Sequence, residues 1–403
     1  MKKQNLNTGA LSLANLRAKP VRTACLAVVV AILAFTLFGG SILALNLRQG
    51  LFTMTRRFGA DLMVVPEGAS EKAQTLLLRG GSSYFYFNNG ITGRIAQTEG
   101  IVCASPQFFL ASLSTECCDA AVQLIAYDPV TDFVVQPWIA EKRSETVEDG
   151  QVVVGSQITL RPNGTIQLFN HEYPVAAQLS SSASGFDTSI FMTMNTMRQL
   201  IDLAHAEKYN FLADKYGDGV ISAVLAKIDP SQVPSLVAYN IQQQNEGVDV
   251  LISQSIFSAL AATLSGLVSY IHIFSAVLWI LALIVLAAVF SLSIHERKKE
   301  FALLRILGAT RKKLIGIVLG ESSLAGISGG MAGVLLASLI VFPFSTLISE
   351  RLELPYLDAP PFTIVLLVLG SLFLAALTGP VASLYSAFRI SRAETYYTMR
   401  EGE

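Results

Sequence analysis

The sequence predicts an α-helical membrane protein with four transmembrane helices and a large mixed α+β extracytoplasmic domain inserted between helices 1 and 2. Mean hydropathy is +0.50, and only 15% of the 403 residues are charged, against about a quarter in soluble domains. The apolar residues are concentrated in four nearly uncharged stretches, each longer than the roughly 20 residues that cross a bilayer. Between the first two stretches lie about 215 residues of ordinary soluble composition, enough for one or two independent cores.

The first span is predicted over residues 23–47, after a basic segment at 1–22, because no charged residue lies between Arg22 and Arg48. The alternative interpretation is a cleaved signal peptide. It is disfavoured because the apolar run exceeds a signal h-region and no A-x-A-like site follows it.

The distribution of charge predicts which side of the membrane each segment faces. Residues 1–22 hold five Lys or Arg and no acid, and residues 295–313 hold seven Lys or Arg against two Glu. Cytoplasmic loops carry such an excess of basic residues, so both termini and the middle loop are predicted to face the cytoplasm. The expected location is the cytoplasmic membrane, crossed several times.

The remaining boundaries follow from the same pattern. The predicted segments are the extracytoplasmic domain (48–262), helix 2 with an extracytoplasmic stalk (263–294), the cytoplasmic loop (295–313), helix 3 (314–346), a short extracytoplasmic loop (347–360), helix 4 (361–388) and a cytoplasmic tail (389–403). The extracytoplasmic domain has 13 basic and 21 acidic residues, a net charge of −8 that argues against binding to nucleic acid.

Local patterns predict several elements of the outer domain. Strands are expected at 152–155, 221–228 and 248–252, and helices at 195–205 and 231–244. A hairpin is expected from 165–169 and 173–179, with its turn at 170–172 and Pro174 on an edge. The aromatic run at 83–88 is interpreted as a buried strand, with an apolar ligand groove as the alternative.

The chain contains no motif of an enzyme. There is no G-x-S-x-G, no H-E-x-x-H and no G-x-x-x-x-G-K-[ST], the loop that binds ATP phosphates. His171 and His205 lie far apart in the sequence of the outer domain. A non-catalytic subunit without a cofactor of its own is therefore expected.

Three cysteines fall in the predicted outer domain: Cys103, Cys117 and Cys118. Either Cys103 pairs with Cys117 or Cys118, since adjacent cysteines rarely bond to each other, or all three are reduced. The cluster Glu116-Cys-Cys-Asp119 also leaves open a soft metal ion or a redox pair. Full activity of a Cys117→Ser/Cys118→Ser variant would exclude the metal hypothesis.

The uncharged run at 250–294 is too long for one bilayer crossing. It is predicted to begin outside the membrane, over 253–265, and to continue into the bilayer as a stalk. The alternative is two helices with a break near Ser265 and Gly266.

The cytoplasmic loop has the pattern of a short amphipathic helix at 296–307 followed by a tight turn. Gly308 suits the positive φ after a helix, and Thr310 suits the N-cap of the next one. Phe301, Leu304 and Leu307 form the predicted apolar stripe, and Arg297, Glu300 and Arg305 the polar faces. This arrangement is typical of an element that docks on a second protein.

The stretch EFALLRILGATRKKL (residues 300–314) resembles the signature EIGLLRALGAT of FtsX/MacB-type ABC transporter permeases, also called type VII or mechanotransmission transporters. The segments at 16–17 and Arg22, Gly155, 186–192, Pro380 and 389–400 are similar to other parts of the family, including the MacB-like periplasmic core domain. One departure is that Arg392 stands where the family usually has Pro.

The resemblance implies a permease dimer, of two identical chains or two paralogues, bound to ATPase subunits that carry ATP and Mg. A periplasmic or envelope protein is a further possible partner, and lipids surround the helices. The residues implied to couple to the ATPase are Glu296, Arg297, Glu300, Phe301, Leu304, Arg305, Gly308 and Ala309.

The expected function is export, extraction or release of an envelope substrate. The alternatives are a non-transporting regulator of an envelope enzyme and a metal- or haem-linked transporter using Cys117 and Cys118. Leu304→Asp or Gly308→Pro is expected to abolish ATPase binding.

Two further features lie in the third predicted span. Glu321 is a carboxylate inside the membrane, interpreted as a structural or coupling ion pair, with a proton relay as the alternative. Small residues spaced four apart allow close helix packing, and they are interpreted as a candidate dimer face. They are Gly326, Gly329, Gly330 and Gly333.

Overall fold

The computed structural model describes residues 15, 18, 20–111, 118–119, 122–142, 146–206, 219–306, 308–351 and 354–392. The chain divides into two compact units. The membrane unit comprises Met1–Asn46, Ser265–Thr346 and Ala359–Glu403, and the outer unit comprises Leu47–Leu264 and Leu347–Asp358.

The described elements, in chain order, are α1 (Pro20–Phe58), β1 (Leu62–Pro66), α2 (Ser70–Arg79), β2 (Phe87–Asn88), α3 (Gly90–Ala96), β3 (Ile101–Ala111), β4 (Gln123–Tyr127), α4 (Gln136–Ala140), β5 (Val152–Val154), β6 (Thr165–Leu168), β7 (His171–Gln178), a 3₁₀-helix (Gly185–Thr188), β8 (Ser189–Thr193), α5 (Met194–Ala206), β9 (Val220–Ile221), β10 (Ala223–Ile228), α6 (Pro234–Gln244), β11 (Val248–Ile252), α7 (Ser253–Glu296), α8 (Lys298–Ile306), α9 (Arg311–Arg351) and α10 (Pro361–Arg392).

Among the described residues, four helices are long and apolar enough to cross a membrane: α1, α7, α9 and α10. The fold class is therefore confirmed, with the mixed α/β unit between the first and second of them. Helix α7 is continuous over 44 residues, roughly 66 Å at 1.5 Å per residue. The alternative of two helices broken near Ser265 is wrong, since the glycine that follows it lies within regular helix.

Nine of the described strands form one mixed sheet in the order β11-β1-β10-β3-β4-β8-β5-β7-β6. Most neighbours are antiparallel, but β4 pairs with β8 and β5 with β7 in parallel. One cluster of buried apolar side chains contains Phe109, Tyr127 and Phe191, and another contains Leu124 and Ile190. Alternate residues of a strand point to opposite faces, so both faces of the sheet are covered.

The predicted strands and helices of the outer unit are present, with three corrections. The predicted strand at 221–228 is divided into β9 and β10, which belong to different sheets. The hairpin turn lies at Phe169 and Asn170, whose φ angles are 44° and 65°, rather than at 170–172. Pro174 is not on an edge strand, because β7 lies between β5 and β6. Proline is tolerated there because pairing with β5 begins one residue later, at Val175.

The aromatic run at 83–88 is mostly irregular, and only Phe87–Asn88 forms a strand, so the predicted buried strand is wrong for the residues before it. Phe85 packs edge-on against Phe109 with 5.7 Å between ring centroids, and Tyr86 stacks on Phe108 at 5.2 Å. These aromatic side chains fill the core individually, so regular backbone is not required.

A tight backbone junction organises the outer unit around the 3₁₀-helix. A Cβ at Gly185 would overlap the backbone at Leu76 and Gly80, the end of α2. A Cβ at Gly155 would overlap the carbonyl oxygens of Phe186 and Asp187. Gly155 and the 3₁₀-helix are therefore packed backbone to backbone.

The buried carboxylate of Asp187 holds the serine-rich loop beside this junction. It accepts hydrogen bonds from Ser181 Oγ at 2.7 Å, from the backbone N–H and hydroxyl of Ser182 at 2.7 and 2.8 Å, and from the N–H of Ala183 at 2.8 Å. Each of these donors is satisfied, so the loop is ordered by one side chain.

Small residues of α9 let it approach its neighbours in the membrane unit. A Cβ at Gly329 would overlap the carbonyl oxygen of Ala27, and one at Gly333 that of Ala31, both on α1. These two glycines therefore face α1.

The other two glycines of this stretch face α10. A Cβ at Gly326 would lie 2.7 Å from the carbonyl oxygen of Ala375, and one at Gly330 would lie 2.8 Å from the Cβ of the same residue. All four glycines thus lie against helices of the same chain, so the interpretation of them as a dimer face is wrong. Small residues allow close approach to any helix, so their spacing alone does not identify which one.

Candidate functional site

The predicted cytoplasmic loop is a helical hairpin that begins where α7 ends. Helix α7 ends at Glu296, Arg297 lies between helices, and α8 begins at Lys298. We call residues 298–306 and 308–321 the coupling hairpin, after their predicted role: α8, the turn and the first part of α9. Gly308 has a φ of 90°, as predicted. The N–H of Lys313 donates to Thr310 Oγ1 at 3.4 Å, which confirms the predicted N-cap.

The apolar stripe of α8 packs inside the hairpin rather than facing outward. Phe301 is buried against Leu314 and Val318 of α9, with Leu304 and Ala309 partly buried beside them. Leu307 lies outside the described residues. These contacts fix α8 to α9 as one packed body.

Two apolar side chains of α8 are exposed, and the predicted apolar stripe includes neither of them. Leu303 and Ile306 have relative exposures of 59% and 60%. They are three residues apart and so lie on one face of the helix. The sequence of α8 is apolar on more than one side of the helix, so periodicity alone does not identify which apolar side is exposed. The predicted stripe lies on the side that is packed inside the hairpin.

Arg297 is buried, which corrects its predicted place on a polar face. Its Nη1 donates to both carboxylate oxygens of Glu321 at 2.9 Å, and its Nε donates to Glu300 at 2.6 Å. Arg297 and Glu321 are only 5% and 4% exposed. The guanidinium also lies 5.1 Å from the ring centroid of Phe301, a cation–π distance.

Further groups reach Glu321 from the N-terminal part of the chain. Asn15 Nδ2 donates to its Oε1 at 2.7 Å, and Arg22 Nη2 lies 3.9 Å from its Oε2. Burial tends to lower the pKa of Arg297, but the hydrogen bond it donates to Glu300 and the charge of Glu321 outweigh burial and raise it. The predicted ion pair of Glu321 is thus present, with Arg297 as its main partner.

The structure brings some of the predicted coupling residues together and separates others. Arg297, Glu300 and Phe301 meet at the base of the hairpin, whereas Glu296 and Gly308 are exposed. Neither Asn15 nor Arg22 was predicted to contact Glu321. Their approach depends on how α1 packs against α9, which no local pattern reveals.

The cysteine cluster of the outer unit does not form the predicted disulfide between Cys103 and Cys118. Cys103 carries a free thiol, and burial raises its pKa. Cys118 is buried, and its Sγ accepts a hydrogen bond from the N–H of Phe169 at 3.3 Å. Cys117 lies outside the described residues.

The acidic residue of the same cluster is engaged by protein groups. Arg161 donates to Asp119 at 2.8 Å, and the N–H of Gln167 donates to its other oxygen at 2.8 Å. Burial alone would raise the pKa of Asp119, but these hydrogen bonds lower it. Within the described ranges, no group of three or more His, Cys, Asp or Glu side chains could hold a metal ion, and Glu116 lies outside those ranges.

The C-terminal region of the chain is similar to a known protein family. Residues 272–392 match the family model described as FtsX-like permease C-terminal. No curated protein matches the chain. The crystal structure of the periplasmic region of MacB from Actinobacillus actinomycetemcomitans has a TM-score of 0.33 and 11% identity, covering 51% of this chain and 95% of that one. The extracellular domain of YknZ, a noncanonic ABC-type transporter from Gram-positive bacteria, has a TM-score of 0.26 and 11% identity, covering 48% and 98%. Residues 272–392 are therefore similar to the FtsX-like permease C-terminal family, and that similarity covers less than half of the chain.

Proposed function

We propose that this permease couples ATP hydrolysis by a separate ATPase subunit to movements of its outer unit, for export, extraction or release of an envelope substrate. The permease works as a dimer, with a second copy or a paralogue, in the cytoplasmic membrane. Both termini and the coupling hairpin face the cytoplasm, which the excess of Lys and Arg at 1–22 and 295–313 supports.

The observation that carries this proposal is the exposed face of the coupling hairpin. Leu303 and Ile306 project from α8, while Arg311, Lys312 and Lys313 are exposed at the start of α9. An exposed apolar pair and three exposed cations on one hairpin fit a partner surface with an apolar pocket and acidic side chains. The ATPase supplies ATP and Mg, since the chain has no phosphate-binding loop.

Helix α7 supports the second half of the proposal. It runs without interruption from Ser253, in the outer unit, to Glu296, next to the hairpin. A continuous helix transmits displacement along its axis with little loss, because its backbone hydrogen bonds span its whole length. Substrate movement then does not require a pore between the membrane helices.

The double variant Leu303→Glu/Ile306→Glu is expected to lose the ATPase. A buried apolar anchor at an interface contributes about 2 kcal/mol or more, so we expect roughly tenfold or greater loss of Mg-dependent ATP hydrolysis in the purified complex. The measurement is the ATPase activity of the full chain isolated from host membranes in mild detergent, with mass spectrometry of the bound proteins.

The control is Val130→Glu, which makes the same kind of substitution at one apolar side chain that is 89% exposed in the outer unit. It is expected to keep the ATPase. Retention of the ATPase by the double variant at the level of the control would refute the proposed docking face.

A further inference from the structure

We propose that Arg297 is a positioning residue that locks the end of α7 to the coupling hairpin, so that hairpin and helix move as one body. This inference deepens the proposed function and rests on it for its role in transport. The lock itself is a property of the permease alone, and it can be tested without the ATPase.

The position of Arg297 in the chain is the first argument. It is the single residue between α7 and α8, and the helical hydrogen-bond pattern is interrupted there. Such an interruption is where a hinge forms, because a few backbone dihedral angles can absorb a large change of direction. Apolar packing joins α7 to α9 further along, where Phe290 and Ala325 share a buried cluster, so a link at the junction itself has to come from another contact.

The side chain of Arg297 provides that link. It reaches from the junction to Glu321 on α9, 24 positions along the chain, and donates to both of its oxygens at 2.9 Å. Both groups are almost fully buried, so water does not screen the pair as it does a surface pair. The pair therefore connects the junction at the end of α7 directly to α9, in addition to the connection through α8.

Apolar packing within the hairpin is a second link between α8 and α9, besides the ion pair of Arg297 and Glu321. Phe301, Leu314 and Val318 hold α8 on α9 through apolar contacts, and of these three side chains Phe301 is the one that also lies against the guanidinium. Removing the guanidinium should therefore free α7 from the hairpin while leaving α8 docked on α9 and available to a partner. Without the guanidinium, Glu321 still accepts the hydrogen bond from Asn15 and still lies near the positive charge of Arg22.

Spin-label distance measurements test the lock directly. One label replaces His295, exposed in the last turn of α7, and the other replaces Lys313, exposed on α9, in a full-length chain whose four cysteines are changed to Ser. The permease with Arg297 is expected to give a single narrow distance. Arg297→Gln is expected to lose it and to give a broad distribution, in the permease alone.

The exchange Arg297→Glu/Glu321→Arg separates a lock from general damage. It restores opposite charges at the same two positions, so the narrow distance is expected to return, at least in part. Arg297→Lys keeps the charge but offers one ammonium in place of a fork, and it is expected to fall between wild type and Arg297→Gln.

The outcomes distinguish this inference from the proposed function. A narrow, unchanged distance in Arg297→Gln would overturn the lock, whatever the ATPase does. A broad distance in Arg297→Gln with the ATPase still co-purifying at wild-type level is the expected result. If the wild-type chain binds no ATPase but the distances behave as described, the lock stands and the proposed coupling fails. Loss of folded protein in all three variants would contradict the independence of the hairpin core.

Discussion

The substitution Gly185→Ala is expected to unfold the outer unit at a much lower urea concentration than wild type. The added methyl group would overlap backbone atoms of Leu76 and Gly80, where α2 ends. Backbone atoms cannot move aside as a flexible side chain can, so the 3₁₀-helix must separate from α2. We expect a loss of about 3–5 kcal/mol in the free energy of unfolding, at the upper end for a single substitution.

The fluorescence of Trp138 provides the measurement. This residue lies 5.2 Å from the ring of Phe186, directly after Gly185, so its emission reports on the affected region. A Trp279→Phe background leaves it as the single tryptophan of the chain. Urea titrations of the full-length protein in detergent then compare the midpoints of the outer-unit transition.

Gly93→Ala is the matched control, in the same unit and with the same added methyl group. A Cβ at Gly93 meets no atom within 4 Å, and the residue lies inside α3. Alanine is favoured over glycine in a helix, so a gain of about 0.5–1 kcal/mol is expected. Equal midpoints for the two variants would show that the junction at Gly185 tolerates a side chain.

Much of the fold follows from one-dimensional patterns. Four uncharged stretches were sufficient to predict the membrane helices, because a bilayer core imposes both length and apolarity on whatever crosses it. The turn of the coupling hairpin could also be predicted from the sequence, since a positive φ at Gly308 and a cap at Thr310 depend on a few adjacent residues.

The errors concern which neighbour a residue meets. Spacing predicted that Gly329 and Gly333 would allow close packing, but not that their partner is α1 of the same chain. Periodicity predicted an apolar stripe on α8, but not that Phe301 would be buried and Leu303 exposed. Charge predicted that Arg297 would face water, whereas it is buried and paired with Glu321 and Glu300. Such facts depend on tertiary contacts that no local pattern contains.

The substitution Glu321→Leu is expected to have the second large effect, this time in the membrane unit. It would leave the guanidinium of Arg297 buried, with only the half-exposed Glu300 as an acidic partner. Breaking a buried ion pair by removing one member typically costs about 3–5 kcal/mol, because the remaining charge is neither hydrated nor compensated. The expected readout is a marked fall in the temperature at which the purified, detergent-solubilised chain unfolds, relative to wild type.

The double variant Arg297→Leu/Glu321→Leu identifies the cause of that fall. It removes both charges and fills the site with apolar side chains, an exchange that is often neutral or stabilising when a buried pair is replaced as a whole. We therefore expect it to recover most of the stability lost in Glu321→Leu, although α7 would no longer be locked to the hairpin. If the double variant were instead as unstable as the sum of its single changes, the loss would come from packing or from Asn15 and Arg22, and the unpaired guanidinium would not be its source. Stability and coupling are thus separable at this site, since an apolar pair can fill the volume but cannot provide the directed hydrogen bonds that hold the junction in one orientation.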